Sequence, residues 1–436
     1  MCSRKSFQEG SILSSTRNRR LTRNSYISSL IEHLQQGSPV NQSSRDQPQK
    51  PGIQATNESL PVRQPQFAFS RGAYRYVGAG SILLDVQDHQ DARPQTWTER
   101  QTHSFPAQAP PSASFMAPEL IRYLLEVFFN SVHQVFPVLD PSLPWLNADM
   151  EFDNALVTTQ ACVLEMVCGI ACHCDDVHSS ELKTVASAAY ARGLQHMNAA
   201  TAEPSISTLR VGILLVLYSL FDPISGNISQ QLGFVVRLLI DLAGSVDSTQ
   251  SPNLSTLYYT IYCLENHVCN VLTRPTTLPE PTTPLTFSSE IPLEFLCSLY
   301  RLQSRLRRGT LDAASCDAVM LINDGVLETL HPNIVSTLWE TRVLLRKTSF
   351  VAIRLIQAYS TDGYIATFAT PYWVYKASII IIDAIPTVDN PSRASLMLAY
   401  GKSVALLSQW SEKWAAAATL LKSLQCCLQN QHEMIP

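Results

Sequence analysis

The densest set of residue types able to do chemistry is CVLEMVCGIACHCDDVH, which begins at Cys162 and also holds Cys168, Cys172, His173, Cys174, Asp175, Asp176 and His178. Thiolates and imidazoles are zinc ligands, but structural zinc uses close ligand pairs, two to four residues apart, with a second pair further along. Here the cysteines fall inside an apolar helical repeat, so no metal site is expected. Asp175, Asp176 and Glu181 are carboxylates near a helix end, where such groups are ordinarily solvated. Histidines such as His133, His196 and His267 are accompanied by neither a nucleophile elbow nor an HExxH pair, and read as structural. No catalytic residue, metal or cofactor is therefore expected, and the chain reads as a non-enzyme.

The clearest positive signal is at the other end of the chain. Arg17, Arg19, Arg20 and Arg23 form a short basic cluster of the sort that lies along phosphates or is read by nuclear import machinery. It runs into an amphipathic helix over residues 21–36, where Ile27, Leu30, Ile31 and Leu34 stand at i, i+3, i+4 and i+7. A helix of about four turns is marginal alone in water, so it needs a partner, and a second copy would make these four residues a dimerisation stripe.

The elements behind these residues follow from composition and periodicity. The chain has 436 residues, of which 45% are hydrophobic and 16% charged, enough for a large core and for more than one domain. A net charge of −4 gives no global attraction to nucleic acid. The longest apolar run, 211–221, is short of a membrane span, and residues 1–20 carry arginines instead of a signal peptide's apolar stretch. Eleven cysteines, spread singly through apolar segments apart from Cys426 and Cys427, fit reduced buried thiols in an intracellular protein.

Residues 1–20 read as a basic disordered tail. Residues 37–116, rich in Pro, Gln, Ser and Arg, read as a disordered linker with one more ordered piece, RGAYRYVGAGSILLDV at 71–86, a strand or extended segment. From 117 to 436 apolar residues recur at helical spacing. Helices are predicted at 118–136, 153–174, from 180, 205–221, 230–244, 254–272, 292–308, 310–330, 334–360, 372–385 and 392–428. Gly233 predicts close contact with a neighbouring helix, Gly244 a C-terminal cap, and Ser or Asp the N-caps. Without βαβ alternation, a phosphate loop or a regular repeat, the fold class is all-α, an irregular multi-helix domain.

Two families bear comparison. The acidic stretch at Asp175, Asp176 and Glu181 loosely resembles the motif by which all-α terpene synthases hold magnesium against a diphosphate, and the resemblance implies a second motif, for which the nearest candidate, NDGVLETLH from Asn323, lacks the later serine and glutamate; this makes a metal-dependent enzyme the alternative reading. Far more of the chain resembles the fungal zinc binuclear cluster transcription factors, and in particular their regulatory middle homology domain. RNRRLTRNSYISSLIEHLQQ resembles the family's basic linker and dimerising coil, and RGAYRYVGAGS its Tyr and Gly segment. LIRYLLEVFFNSVHQVFPVLDPS, with Phe129, His133, Phe136 and Pro137, resembles the entry helix. STLRVGILLVLYSLF and QLGFVVRLLIDLAG, with Gly233 and Arg237, resemble the two central helices. LYYTIYCLENHVCNVLTRPTTLPE resembles the segment that ends in Gly, Arg and Pro, with Thr273 in place of the glycine and Glu265-Asn266 in place of an Asp-Arg pair. The family's six zinc-binding cysteines are absent, since only Cys2 precedes Cys162.

The resemblance implies a nuclear transcriptional regulator, of a type that controls specialised-metabolite gene clusters. It would act through protein partners or as a homodimer through the 21–36 helix, with a small effector as a further ligand and DNA met only weakly or through a partner. A start upstream of this chain, encoding the missing cysteines, is a second alternative.

Overall fold

The computed structural model describes residues 66–70, 73–77, 116–146, 157–175, 178–245 and 252–433. The tail, the 21–36 helix and most of the 37–116 linker lie outside them. The expected fold class is correct, because the described residues are overwhelmingly helical. Among them no helix is long and apolar enough to cross a membrane.

A short hairpin pairs β1 (Gln66–Ser70) antiparallel with β2 (Ala73–Val77), Phe67 opposite Tyr76 and Phe69 opposite Tyr74. The strand reading of 71–86 holds for its first half, and the partner strand was not foreseen. Thereafter the chain is helical. Helix α1 (Pro118–Asn130) takes Pro118 at its start, where a missing N–H costs nothing, and is followed by the single turn α2 (Val132–Val135).

The described residues fall into two compact units. In the first, α3 (Thr158–Cys174) and α4 (Ser179–Ala200) form an intimate helical pair. Cys162 Sγ donates to the Gly193 carbonyl at 3.3 Å, and Arg192 Nε donates to Glu165 at 2.9 Å. A side chain at position 193 would strike Met166.

The second unit is a succession of packed helices. Helix α5 (Ile206–Phe221), capped by Ser205, is buried nearly all round, as its unbroken apolar sequence requires. The last carbonyls of a helix have no intrahelical donors. Here the Phe368 N–H takes Leu220 O at 2.9 Å and Trp414 Nε1 takes Phe221 O at 3.0 Å. Helix α6 (Ile228–Ser245) packs on α5, with Val235 pressed against Gly212. Gly212 is the point of close approach. Gly233 is exposed with nothing near its Cβ position among the described residues, so the contact predicted for it is misplaced by one helix. Nor is Gly244 a cap, since it lies inside α6 without positive φ.

Helices α7 (Pro252–Leu272) and α8 (Pro292–Arg308) enclose the Pro-rich segment between them. Three of the longer predicted helices are each broken in two. One becomes α9 (Ala313–Met320) and α10 (Asp324–Leu327), another α11 (Pro332–Leu345) and α12 (Ser349–Tyr359). The last yields α14 (Asn390–Ser411) and α15 (Ala415–Glu433), beyond α13 (Thr370–Ala384). Each break has a side-chain cause. Arg342 donates to the Val319 and Ile322 carbonyls, Thr348 N-caps α12, and Trp414 turns inward to reach Phe221.

Candidate functional site

Of the residues that carried the sequence signal, Arg17, Arg19, Arg20 and Arg23, with Ile27, Leu30, Ile31 and Leu34, lie outside the described residues. Among the described residues no group of three or more His, Cys, Asp or Glu is placed to hold a metal ion. Cys162, Cys168 and Cys172 are buried in α3, and burial raises all three thiols. Asp175 spends its carboxylate locally. It accepts from the Tyr123 hydroxyl and from the His178 backbone N–H at 3.1 Å, with the His178 ring 3.0 Å away. Asp176 lies outside the described residues.

What the structure brings together instead is a polar seam through the second unit, along α7, α8, α11, α12 and α13, which pack in that order apart from the α9–α10 turn. It begins at the end of the LYYTIYCLENHVCNVLTRPTTLPE stretch. Thr273, just past the end of α7, has φ 51°, and it is the only residue other than glycine with positive φ among the described residues. The Arg274 N–H returns to the Cys269 carbonyl at 3.0 Å, the bond that closes a helix through a left-handed residue. The chain then turns back under two carboxylates. Glu265 accepts from the Thr277 N–H at 2.8 Å, the Thr277 hydroxyl at 2.5 Å and the Leu278 N–H at 3.0 Å. Glu280 is gripped from α8 by Arg301 at 3.0 Å, Arg305 at 2.6 Å and Arg308 at 3.1 Å. Burial acting alone would raise the Glu280 carboxyl. Hydrogen bonds from Arg305 and Arg301 outweigh it and hold the group below its usual range.

Deeper in the unit lies a set of buried titratable groups. His267 on α7 pairs with the Tyr300 hydroxyl at 2.9 Å and the Thr367 hydroxyl at 3.2 Å, with Phe136 against its ring edge. Burial depresses the imidazole to about 4, so it is neutral. Thr370 accepts from the Thr367 N–H and meets the Tyr364 hydroxyl at 2.9 Å. The rings of Tyr364 and Tyr359 meet edge on, and the Tyr359 hydroxyl donates to Glu340 Oε1 at 2.7 Å. The other oxygen, Glu340 Oε2, is buried and has no hydrogen-bond partner among the described residues. Burial pushes Glu340 up to about 8, against smaller opposing effects of Tyr359 and Lys376. Lys376 is itself lowered by burial and then by Lys347, with Glu340 acting the other way.

Burial thus favours the neutral form of Glu340 and disfavours the charged form of Lys376. Periodicity did not reveal this set, because its members are single polar residues inside apolar helices. Only His267 had been noticed, as a structural histidine, which is how it is placed. Compared with known proteins, the chain matches no family model, no curated protein and no solved structure.

Proposed function

We propose that this chain is a nuclear transcriptional regulator whose helical part is related to the regulatory middle homology domain of the fungal zinc binuclear cluster factors. On this reading it works by protein contact, in the control of a specialised-metabolite gene cluster. The observation that supports it most is the backbone at Thr273. The family has a glycine there, before Arg and Pro, and a left-handed φ of 51° is the conformation for which glycine is the ordinary residue. Glu265 adds to this. It keeps an acid where the family has the Asp of its Asp-Arg pair, and that acid organises the segment after the turn.

The helical layers are the part that would receive a partner or effector, and the 21–36 helix the part that would pair with a copy or a relative. With four arginines and without the family's six cysteines among these 436 residues, contact with DNA would be phosphate-directed and sensitive to salt. The test is binding of the purified 436-residue chain to random duplex and to promoter DNA of neighbouring genes, across a salt series, with and without zinc. Weak, non-selective, zinc-independent binding is the expected result. Promoter-selective binding that persists at physiological salt overturns action through a partner. Transcript levels after deletion of the gene test the regulatory role itself, and an unchanged profile overturns it.

A further inference from the structure

Helix α6 packs on α5 and α7 with one face and turns the other outward. From position 234 onward its exposed residues are Phe234, Arg237, Ile240, Asp241 and Gly244. At 3.6 residues per turn these five share a stripe about 120° wide. Phe234 is 49% and Ile240 52% exposed, so two large apolar side chains face outward within three turns. One edge of the Phe234 ring rests beside Gly212 of α5, which sets its position.

Arg237 and Asp241 are the only charged residues of α6. Neither makes a hydrogen bond or an ion pair with a described residue. They stand at i and i+4 with the cation first, the less favourable order for pairing within one helix. The other charges around α6 are few. Helix α5 carries only Arg210, half-buried, and α7 only Glu265, buried against the Thr277 and Leu278 N–H groups. Arg274 donates to Ser229 in the first turn, at the opposite end of α6 from Asp241, and Asp222 accepts the Ile224 N–H before the helix begins.

The stripe is its own complement. Arg237 and Asp241 lie two residues to either side of position 239, and Phe234 and Gly244 lie five to either side. If the face is laid antiparallel on a second copy, across a two-fold axis at that position, each Arg237 meets the other copy's Asp241. Each Phe234 then meets the other copy's Gly244, and the two Ile240 side chains meet beside the axis. A two-fold interface requires that every contact be returned in the opposite sense, and this stripe satisfies the requirement for charge and for size together. At Gly244 no atom of the described residues lies within 4 Å of the Cβ position, so there is space for the ring. A parallel pair would instead set like charge on like charge.

We propose that the Phe234, Arg237, Ile240, Asp241 and Gly244 face of α6 is a docking surface for a second copy of this chain, paired antiparallel about position 239. An unrelated partner would require no such symmetry within α6. The contact is one helix wide and about 15 Å long at 1.5 Å per residue, short of the roughly 1,200–2,000 Å² of a standard interface, so the association is weak and reversible. The inference is separate from the 21–36 helix and independent of the regulatory reading.

The experiment is sedimentation velocity on the full chain, with and without Leu30→Glu to break the 21–36 stripe, over a concentration series reaching about 100 μM. A reversible dimer that survives Leu30→Glu is expected. In that background Arg237→Glu or Asp241→Arg alone sets like charges opposite each other and weakens the dimer about tenfold or more. Both changes in one chain restore it. An equal mixture of the two single variants also associates more tightly than either alone, since each then meets its opposite charge. Phe234→Ala and Gly244→Leu each weaken the dimer about tenfold. A chain that stays monomeric throughout overturns the proposal, as does an association that neither charge variant changes or that the double variant fails to restore. A dimer lost with Leu30→Glu alone assigns the pairing to the 21–36 helix instead. A monomer whose thermal midpoint falls with either charge variant shows that a segment of the same chain covers the face, and this too overturns the proposal.

Discussion

Arg301 Nε lies 3.0 Å from Glu280 Oε1, and another nitrogen of the same guanidinium donates to the Thr283 carbonyl at 2.7 Å. One buried arginine on α8 thus holds both a side chain and the backbone of the Pro-rich segment, whose prolines cannot supply N–H donors of their own. The segment is kept in place by partners from outside it.

Replacing Arg301 with Leu is therefore expected to do more than remove an ion pair. It leaves the Thr283 carbonyl short of its donor and Glu280 with only the more exposed Arg305 and Arg308. A loss of about 2–3 kcal/mol is expected by denaturant titration, the range for hydrogen bonds to charged groups. Glu280→Gln should cost less, since Gln still accepts. Its wild-type contribution is present at neutral pH and fades as pH falls, because Glu280 is held below its usual value in the folded chain. A wild-type chain no more stable than Glu280→Gln at neutral pH would contradict this account.

Thr273→Gly should stabilise the protein. A side chain in the left-handed region costs about 1–2 kcal/mol, and glycine gives back roughly 0.5–1 kcal/mol through its freer unfolded chain. The net gain is about 0.5–1 kcal/mol, read as a higher denaturant midpoint at unchanged slope. Thr273→Val keeps the strain and should show no gain.

The buried groups give stability a defined dependence on pH. His267 sits near 4 in the folded chain against an ordinary 6.5, so between those values the unfolded state binds the proton that the folded state refuses. Stability therefore falls as pH drops through that window. Glu340 sits near 8 against an ordinary 4.5, so in between the folded state keeps a proton that the unfolded state has released. Stability falls as pH rises toward 8. Glu340→Gln removes the second slope. Its thermal midpoint relative to wild type should climb between about pH 5 and pH 8 and then level off, and a flat difference would show that Glu340 is charged when folded.

How much of this was legible in the sequence depends on the range of each interaction. The helices at Pro118, Ile206 and Pro292 were readable because their start signals and apolar stripes are local. The breaks at 346–348 and 412–414 were not, because neither contains Gly or Pro and one depends on Trp414 reaching Phe221, 193 residues away. Thr348 followed by Ser349 was the overlooked sign at the first break, as a capping residue inside an apolar pattern. The Glu265 and Glu280 contacts span 12 to 28 residues, beyond any helical period. Only the resemblance directed attention to Thr273. The basic cluster at Arg17 to Arg23 drew the eye because charge runs are visible in one dimension.

The two glycines on either side of the α5–α6 contact test that same distinction between composition and packing. Both lie inside helices, and both carry the propensity penalty of glycine, roughly 1 kcal/mol relative to alanine. Their surroundings differ. A methyl at Gly212 would come within 2.8 Å of Val235 Cγ2, closer than side chains approach, with Phe234 next in line. Val235 is itself buried, so it has little room to yield. Gly212→Ala is expected to destabilise by about 1–3 kcal/mol, the overpacking cost outweighing the propensity gain. At Gly233 no atom of the described residues lies within 4 Å of the added carbon, and Gly233→Ala should stabilise by about 0.5–1 kcal/mol. Urea midpoints of the two single variants decide the matter. If Gly233→Ala lowers the midpoint instead, some surface covers that side of α6 in solution, and the sequence reading of Gly233 as a contact glycine is restored.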